Sequence, residues 1–374
     1  MRAREASHHD SSRQWLSRAG FSHGALCAAL FFLGACEGGR REEPAGDGTL
    51  TWRNFSLERL DKLGYDRAMA RIPGGNPWTA PKAELGRHLF FDRRLSKDRT
   101  LSCSSCHDPG RGWADRESFS SGFNGQRGRR NAPAVVNRIF SREQFWDGRA
   151  GSLEEQAEIP MVSPRELGES HRAIVEKIAG VPGYRRLFAE AYGDEKVELG
   201  RITAAIASFE RTILVYDTPW HRHEAGDRGA LNESARRGLE IFKDNNRGRC
   251  SVCHSGPNLT DEKYHNTGVG TGPGGRDDPG RFEVSGAEED RGRFKTPGLM
   301  NVALTAPYMH DGSLQSLEEV VEFYNRGGAR KPAWPLDAEM KKLELNSRDI
   351  KDLVAFLEAL TGKTTQVDVP EPLE

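Results

Sequence analysis

The chain has 374 residues, with 54 Lys+Arg against 55 Asp+Glu and a formal net charge of -1 at pH 7. That balance excludes the strongly basic footprint of a nucleic-acid-binding protein, and a mean hydropathy of -0.68 excludes a polytopic membrane protein. Six cysteines are too few for a disulfide scaffold in a chain this long, so their placement carries more than their number.

Residues 1–36 read as an export signal. Arg13 and Arg18 precede an apolar run, 24–35, that is too short to span a bilayer and ends in Leu33-Gly34-Ala35-Cys36. This ending resembles a bacterial lipobox, in which the cysteine is lipidated and becomes the new N-terminus. The expectation is a periplasmic protein held by a lipid anchor at Cys36; Glu37, standing where Asp would signal inner-membrane retention, points to the outer membrane. Residues 37–50 are polar, charged and rich in Gly, the composition of a flexible linker.

The remainder reads as mainly α, with long loops and little β. Residues 198–216 carry Ile202, Ile206, Phe209 and Ile213 at helical spacing, and 347–360 predict a helix capped by Ser347 that stops before Gly362. Residues 110–130 and 268–293 are Gly-, Pro- and charge-rich loops; composition leaves open whether the second is a lid or a partner-docking loop. A break at Thr218-Pro219 divides the chain into expected domains 51–217 and 218–374.

Cys103-Ser104-Ser105-Cys106-His107 and Cys250-Ser251-Val252-Cys253-His254 are two C-x-x-C-H motifs. Paired thiols add across the vinyl groups of a haem, and the adjacent His is thereby carried to the iron as proximal ligand. A four-cysteine zinc site would not need a His after each pair. Two covalently bound haem c groups are therefore expected, one per half.

The halves also repeat one another. Gly86 and Phe90 precede the first motif as Gly238 and Phe242 precede the second. Downstream, Pro133, Asn137, Asp147-Gly148 and Leu153-Glu154-Glu155 recur with unchanged spacing as Pro297, Asn301, Asp311-Gly312 and Leu317-Glu318-Glu319. The fold is thus expected to be two cytochrome c-like haem domains related by internal duplication. In this register Trp146 matches His310, Gln156 matches Val320, and Pro160 matches Tyr324. Gln156 and Pro160 lie one helical turn apart, as do Val320 and Tyr324, so each pair shares a helix face. A face that covers the haem in one half covers it in the other, which sets Tyr324 over the second iron and Gln156 with Pro160 over the first; the alternative turns that face into core.

These residues resemble the bacterial diheme cytochrome c peroxidases and the related MauG. The likeness runs from about residue 68 to 362 and is carried by the two haem motifs, RNAPAVVN (130–137), QFWDGRAGSLEEQA (144–157), LTAPYMHDGS (304–313) and FYNRGG (323–328). It implies a peroxidatic first haem and an electron-supplying second one. Trp146 then resembles the tryptophan that relays electrons between them, and Gln156 and Glu166 the distal pair that handles hydrogen peroxide. A carboxylate such as Glu166 can take a proton from one peroxide oxygen and return it to the other, while Gln156 hydrogen-bonds without titrating. Asn131 and the carbonyls of Thr305 and Pro307 match the family's calcium site, an all-oxygen set suited to a hard cation.

Two departures mark a subtype. Where many of these peroxidases place a His that blocks the first iron, this chain has Phe123, which implies an open iron unless His88 or another His reaches it. Where they place a distal Met at the second haem, this chain has Tyr324, as MauG does; Met309 is the one nearby Met that could serve instead. The resemblance thus implies a MauG-like enzyme that shares oxidising equivalents between the haems and draws electrons from a protein substrate that becomes oxidised. Ordinary peroxide reduction with a small cytochrome c or cupredoxin donor is the alternative, and a non-catalytic diheme electron carrier is a reading of a different class. A homodimer is among the assemblies the resemblance allows.

Overall fold

The computed structural model describes residues 49–270, 277–329 and 332–374. The expected signal segment, Cys36, nearly all of the linker and residues 271–276 of the 268–293 loop lie outside them. The helices in chain order are α1 (Leu57–Lys62), α2 (Ala80–Phe91), α3 (Leu153–Val162), α4 (His171–Ala179), α5 (Pro182–Tyr192), α6 (Leu199–Glu210), α7 (Pro219–Glu224), α8 (Glu233–Lys243), α9 (Phe282–Ser285), α10 (Leu317–Asn325) and α11 (Ser347–Glu358). Four two-residue strands, β1 (Val215–Tyr216), β2 (Tyr264–His265), β3 (Phe294–Lys295) and β4 (Lys363–Thr364), form two antiparallel pairs, β1 with β4 and β2 with β3. The mainly α expectation, with little sheet, holds among the described residues. None of their helices is long and apolar enough to cross a membrane.

The duplication is visible in the packing. α2 crosses α6 in the first half, and α8 crosses α11 in the second. Each crossing is made close by one glycine. A Cβ on Gly86 would lie 1.9 Å from the Ala205 carbonyl oxygen, and one on Gly238 would lie 1.9 Å from that of Asp352. Beside them Phe90 meets Phe209 edge-on at 5.4 Å between ring centres, and Phe242 meets Phe356 at 5.0 Å. Helix propensity alone favours alanine over glycine by about 1 kcal/mol. Here a backbone oxygen stands in the way, and moving a helix costs about 1–3 kcal/mol or more. Gly86→Ala is therefore expected to lower the denaturation midpoint of the holoprotein in a thermal melt; an unchanged or raised midpoint would show that the crossing relaxes freely.

The segments that lead to α3 and α10 are also matched. Asn137 and Asn301 both adopt left-handed backbone, with φ of 58° and 59°. Their N–H groups donate to the carbonyls of Ile213 and Leu360 at 2.8 and 3.1 Å. Ser152 and Ser316 cap α3 and α10 by accepting from the N–H of Glu155 and Glu319. The two segments then exchange bonds across the repeat: Asn131 N–H donates to the His310 carbonyl at 2.7 Å, and Lys295 N–H to the Trp146 carbonyl at 2.8 Å. Asn131 and Lys295 are repeat equivalents, as are Trp146 and His310, so the exchange is reciprocal, as a local two-fold relation requires.

Two element limits differ from the sequence reading. The expected helix over 198–216 stops at Glu210 because partners distant in the chain claim the following backbone. Leu214 N–H donates to Thr365 Oγ1 and Val215 N–H to Asn137 Oδ1, and β1 then pairs with β4. The last predicted helix is capped by Asn346 rather than Ser347; the Asn346 side chain accepts from the N–H groups of Arg348 and Asp349, and the Asp349 carboxylate returns the bond. The C-terminal tail packs on first-half elements. Arg87 pairs with Asp368 at 3.1 Å, and Gly183 N–H donates to the Glu374 carbonyl at 2.9 Å. Apolar side chains of both halves, among them Ile206, Phe209, Leu353 and Phe356, belong to one continuous core.

Candidate functional site

Each C-x-x-C-H motif opens on a cavity. The first, of about 390 Å³, is lined by Cys103, Cys106 and His107; the second, of about 280 Å³, by Cys250, Cys253 and His254. The motif residues turn tightly, so that His107 N–H donates to the Cys103 carbonyl at 3.1 Å and His254 N–H to that of Cys250 at 2.8 Å. This turn sets both thiols and the imidazole of each motif on one wall. All four cysteines are unpaired, so neither C-x-x-C is spent on a disulfide.

The imidazoles suit iron. Burial pushes the His107 pKa down to about 4 and lowers that of His254, so both rings are neutral and offer a lone pair. His254 Nδ1 lies 3.0 Å from the Leu259 carbonyl and donates to it, which leaves Nε2 as the acceptor. His107 Nδ1 is buried without a partner. The walls supply what a porphyrin needs elsewhere, with Leu101, Val135, Leu153, Ala157 and Met161 around the first cavity and Leu299, Met300, Val321 and Leu353 around the second. The residues present fit two covalently attached haem groups.

α3 presents Gln156 and Pro160 to the first cavity, and α10 presents Val320 and Tyr324 to the second. The shared face inferred from the repeat thus meets a cavity in both halves. Pro160 sits inside α3, and its carbonyl accepts from Leu167 N–H at 3.1 Å. The chain turns there and carries Glu166 into the same cavity. Burial raises the Glu166 pKa, against a smaller opposing effect from a hydrogen bond to Ser163 and the charge of Arg149. Phe123 is not among the residues lining this cavity. Its ring packs on Gly168 with Lys97 Nζ 5.4 Å from the ring centre, and its N–H donates to the Glu166 carbonyl at 2.7 Å. His88 points elsewhere, pairing with Glu84 at 3.3 Å.

In the second cavity the Tyr324 phenol is pushed well above its ordinary pKa by burial, and Met309 lines the same space. Tyr324 follows Val320 by one turn of α10, whereas Met309 lies on the preceding loop with a φ of 75°.

Trp146 lines both cavities. Its Nε1–H donates to the Asn131 carbonyl at 2.9 Å, which fixes the indole between them. His310, its repeat equivalent, meets it edge-on at 6.4 Å and stacks on Phe294 at 3.6 Å. The Asn131 side chain donates through Nδ2 to the Glu117 carbonyl at 3.1 Å, so Oδ1 is its acceptor end; Asn131, Thr305 and Pro307 all border the second cavity.

Three features escaped the sequence reading. Arg130 joins Asp147 and Asp278, with Asp278 held at 2.8 and 2.7 Å, and Arg281 donates to the carbonyls of Asp147 and Gly148 at 3.0 Å each. The described part of the 268–293 loop is thereby pinned against the Trp146 segment. Glu210 is a buried carboxyl on the first cavity wall; the only signal for it was a charge following the apolar stripe of α6. Cys253, Asp261 and His265 come close enough to hold a metal ion, but Cys253 belongs to the second C-x-x-C-H motif, and His265 is already bridged to Asp261 and Asp337 at 3.0 and 2.7 Å.

Residues 80–229 match the family model of the di-haem cytochrome c peroxidases. The chain is 39% identical over 301 residues to the methylamine utilization protein MauG of Methylorubrum extorquens, covering 80% of this chain and 83% of that one. It is 38% identical over 301 residues to the cytochrome c551 peroxidase of Nitrosomonas europaea, covering 80% and 85%. Among solved structures it resembles a MauG-like protein associated with microbial copper homeostasis, with a TM-score of 0.73, 33% identity and coverage of 79% and 93%.

Proposed function

The chain belongs to the di-haem cytochrome c peroxidase family, an oxidoreductase family with two haem c groups, and from that footing we propose a MauG-like enzyme that meets hydrogen peroxide in the first cavity. Cys103, Cys106 and His107 would hold one haem, and Cys250, Cys253 and His254 the other. Bound there, haem iron supplies the redox chemistry that cleaves the peroxide O–O bond.

The chain's own residues do the rest. Gln156 hydrogen-bonds peroxide and orients it. Glu166 takes the proton from the near oxygen and returns it to the leaving one, the task for which a raised carboxyl pKa suits it. Pro160 covers the site with no side-chain donor that could ligate iron. Trp146, bordering both cavities and tethered at Nε1, provides the path by which oxidising equivalents are shared. Tyr324 would supply the second iron with an anionic oxygen ligand, which would favour its oxidised states.

The observation that carries this reading is the pairing of an aliphatic proline and a carboxamide over one cavity with a phenol over the other, together with Phe123 turned onto Gly168. An enzyme of this kind oxidises a partner protein. Ordinary peroxide reduction, drawing two electrons from a small cytochrome c or cupredoxin, is the second reading, favoured by near-equal identity to a cytochrome c551 peroxidase and to MauG. Glu166 and Gln156 at one open cavity stand against a non-catalytic carrier. We further propose calcium bound by Asn131 Oδ1 and the carbonyls of Thr305 and Pro307, cytochrome c-like domains meeting at residues 217 and 218, and a periplasmic protein anchored at Cys36.

Adding peroxide to the as-isolated ferric holoprotein is expected to change the Soret and near-infrared bands at once. A spectrum that moves only after pre-reduction would overturn the open first site. Turnover with reduced cytochrome c, compared with oxidation of a co-purifying protein, separates the two enzymatic readings.

A further inference from the structure

α6 ends on a carboxyl that no step above uses. Glu210 is 4% exposed and borders the first cavity, and its Oε2 is buried without a hydrogen-bond partner. An unpaired buried carboxyl is costly, and such groups in native structures call for a reason. Packing does not supply one, because the duplicated half builds the same wall without it. Matching Ala205 to Asp352 and Phe209 to Phe356 at the two glycine crossings puts Leu357 in the place of Glu210, and Leu357 lines the second cavity. An apolar residue therefore satisfies this position sterically, and the first half departs from it.

The surroundings hold the carboxyl between its two states. Burial drives it toward the neutral form. Arg138, from the turn after Asn137, and Arg211, the next residue of the chain, draw it toward the ionised form; Glu154 of α3 opposes them. Arg211 is itself engaged with Glu154 through two bonds of 2.8 and 2.9 Å, so it does not neutralise Glu210. The Cys103 thiol of the first motif also feels the Glu210 charge. α2 and α4 meet α6 with apolar groups, α2 through Gly86, Phe90 and Phe91, and α4 by adding Ile174 and Ile178 to the same core. These opposing influences leave its pKa at about 7. A group poised in this way responds to one unit of charge nearby.

We propose that Glu210 is the proton partner of the first haem: it binds one proton from solvent when that haem gains one electron from the donor, and releases it when the electron leaves. Charge on the wall then stays constant through the redox cycle, and the iron's affinity for an electron becomes tied to pH. Leu357 leaves the second haem without such a partner. The proposal rests on haem attachment at Cys103 and Cys106, and not on which half meets peroxide. Haem content, read from absorbance, therefore tests its foundation separately.

The test is spectroelectrochemical titration of the holoprotein across neutral pH. In the unaltered protein the reduction equilibrium of the first haem is expected to shift about tenfold per pH unit, as coupling of one proton to one electron requires. Glu210→Gln and Glu210→Leu flatten this dependence, Glu210→Asp restores part of it, and Glu166→Gln keeps it; the second haem is unaffected in all four. A slope unchanged in Glu210→Gln, or lost in Glu166→Gln instead, overturns the proposal. A second measurement needs no variant. Infrared difference spectra of the unaltered holoprotein should gain a protonated-carboxyl band on reduction, and its absence equally overturns the proposal.

Discussion

Glu166→Gln is expected to slow peroxide consumption by about 10²- to 10⁴-fold, the range that loss of a positioned general acid–base group produces, while both haem groups stay attached. Glutamine preserves the volume and a hydrogen-bonding carbonyl, so the wall formed with Pro160 and Met161 is not expected to collapse. What it removes is the ability to carry a proton between the two oxygens. The pH profile separates this from a packing defect. Burial raises the Glu166 pKa, so the ionised base is lost as pH falls at a higher pH than for an ordinary glutamate. The unaltered enzyme should lose rate on that acid limb, and Glu166→Gln should be flat across it. Stability runs the other way. A carboxyl whose folded pKa is raised contributes stability that is fully present below its unfolded pKa and lost as pH rises through the folded one. The substitution should therefore leave the protein no less stable at neutral pH. An unchanged rate in stopped-flow mixing with peroxide would remove Glu166 from the mechanism.

Much of the site was legible because haem chemistry is written locally. A covalent attachment needs two thiols and an imidazole within five consecutive residues, so Cys103–His107 and Cys250–His254 announce themselves without any knowledge of the fold. Duplication then did what a single copy could not. The register that equates Pro160 with Tyr324 also equates the helix faces they share, and both faces meet a cavity. Local capping logic found the last helix but misplaced its cap by one residue, because Asn346 and Ser347 are both good caps and only Asn346 stands opposite an Asp at the third position.

The features that stayed hidden are those fixed by partners distant in the chain. Nothing near residue 210 shows that Thr365 and Asn137 will claim the backbone of Leu214 and Val215 and so stop the helix six residues early. Glu210 carries no local signature of its burial in the sequence; it is buried at the end of that helix, where it borders the first cavity. Arg130 offered no sign of its partner either, since Asp278 lies within a loop whose composition gives no contact. That pairing bears on function nonetheless. It ties the described part of the loop to Asp147, the residue after Trp146, and so helps fix the indole that borders both cavities.

Tyr324→Met is expected to change the second haem most. The phenol sits in a wall of apolar residues that pushes its pKa well up, so in the unliganded cradle it is neutral. Binding to a haem iron there would remove its proton, because the metal's charge would outweigh the burial that opposes ionisation. The result would be an anionic ligand in an apolar setting, a combination that stabilises ferric and higher states. Methionine is unbranched and adaptable, so it can fill the same space and place a neutral thioether where the phenolate oxygen stood. The reduction potential of the second haem should then rise by on the order of a few hundred millivolts, within the roughly 0.8 V that axial ligands control. A Met-type charge-transfer band should appear at the red edge of the visible spectrum. Peroxide should still react in the first cavity, but sharing of oxidising equivalents should fail, since a thioether-ligated iron resists oxidation; the near-infrared band that reports sharing should be lost while the Soret change persists. Tyr324→Phe isolates the ligand from the packing, as it keeps the ring and deletes only the oxygen. Potentials that coincide in the unaltered protein and both variants would mean that Tyr324 does not ligate iron, and Met309, bordering the same cavity, would then be the residue to substitute.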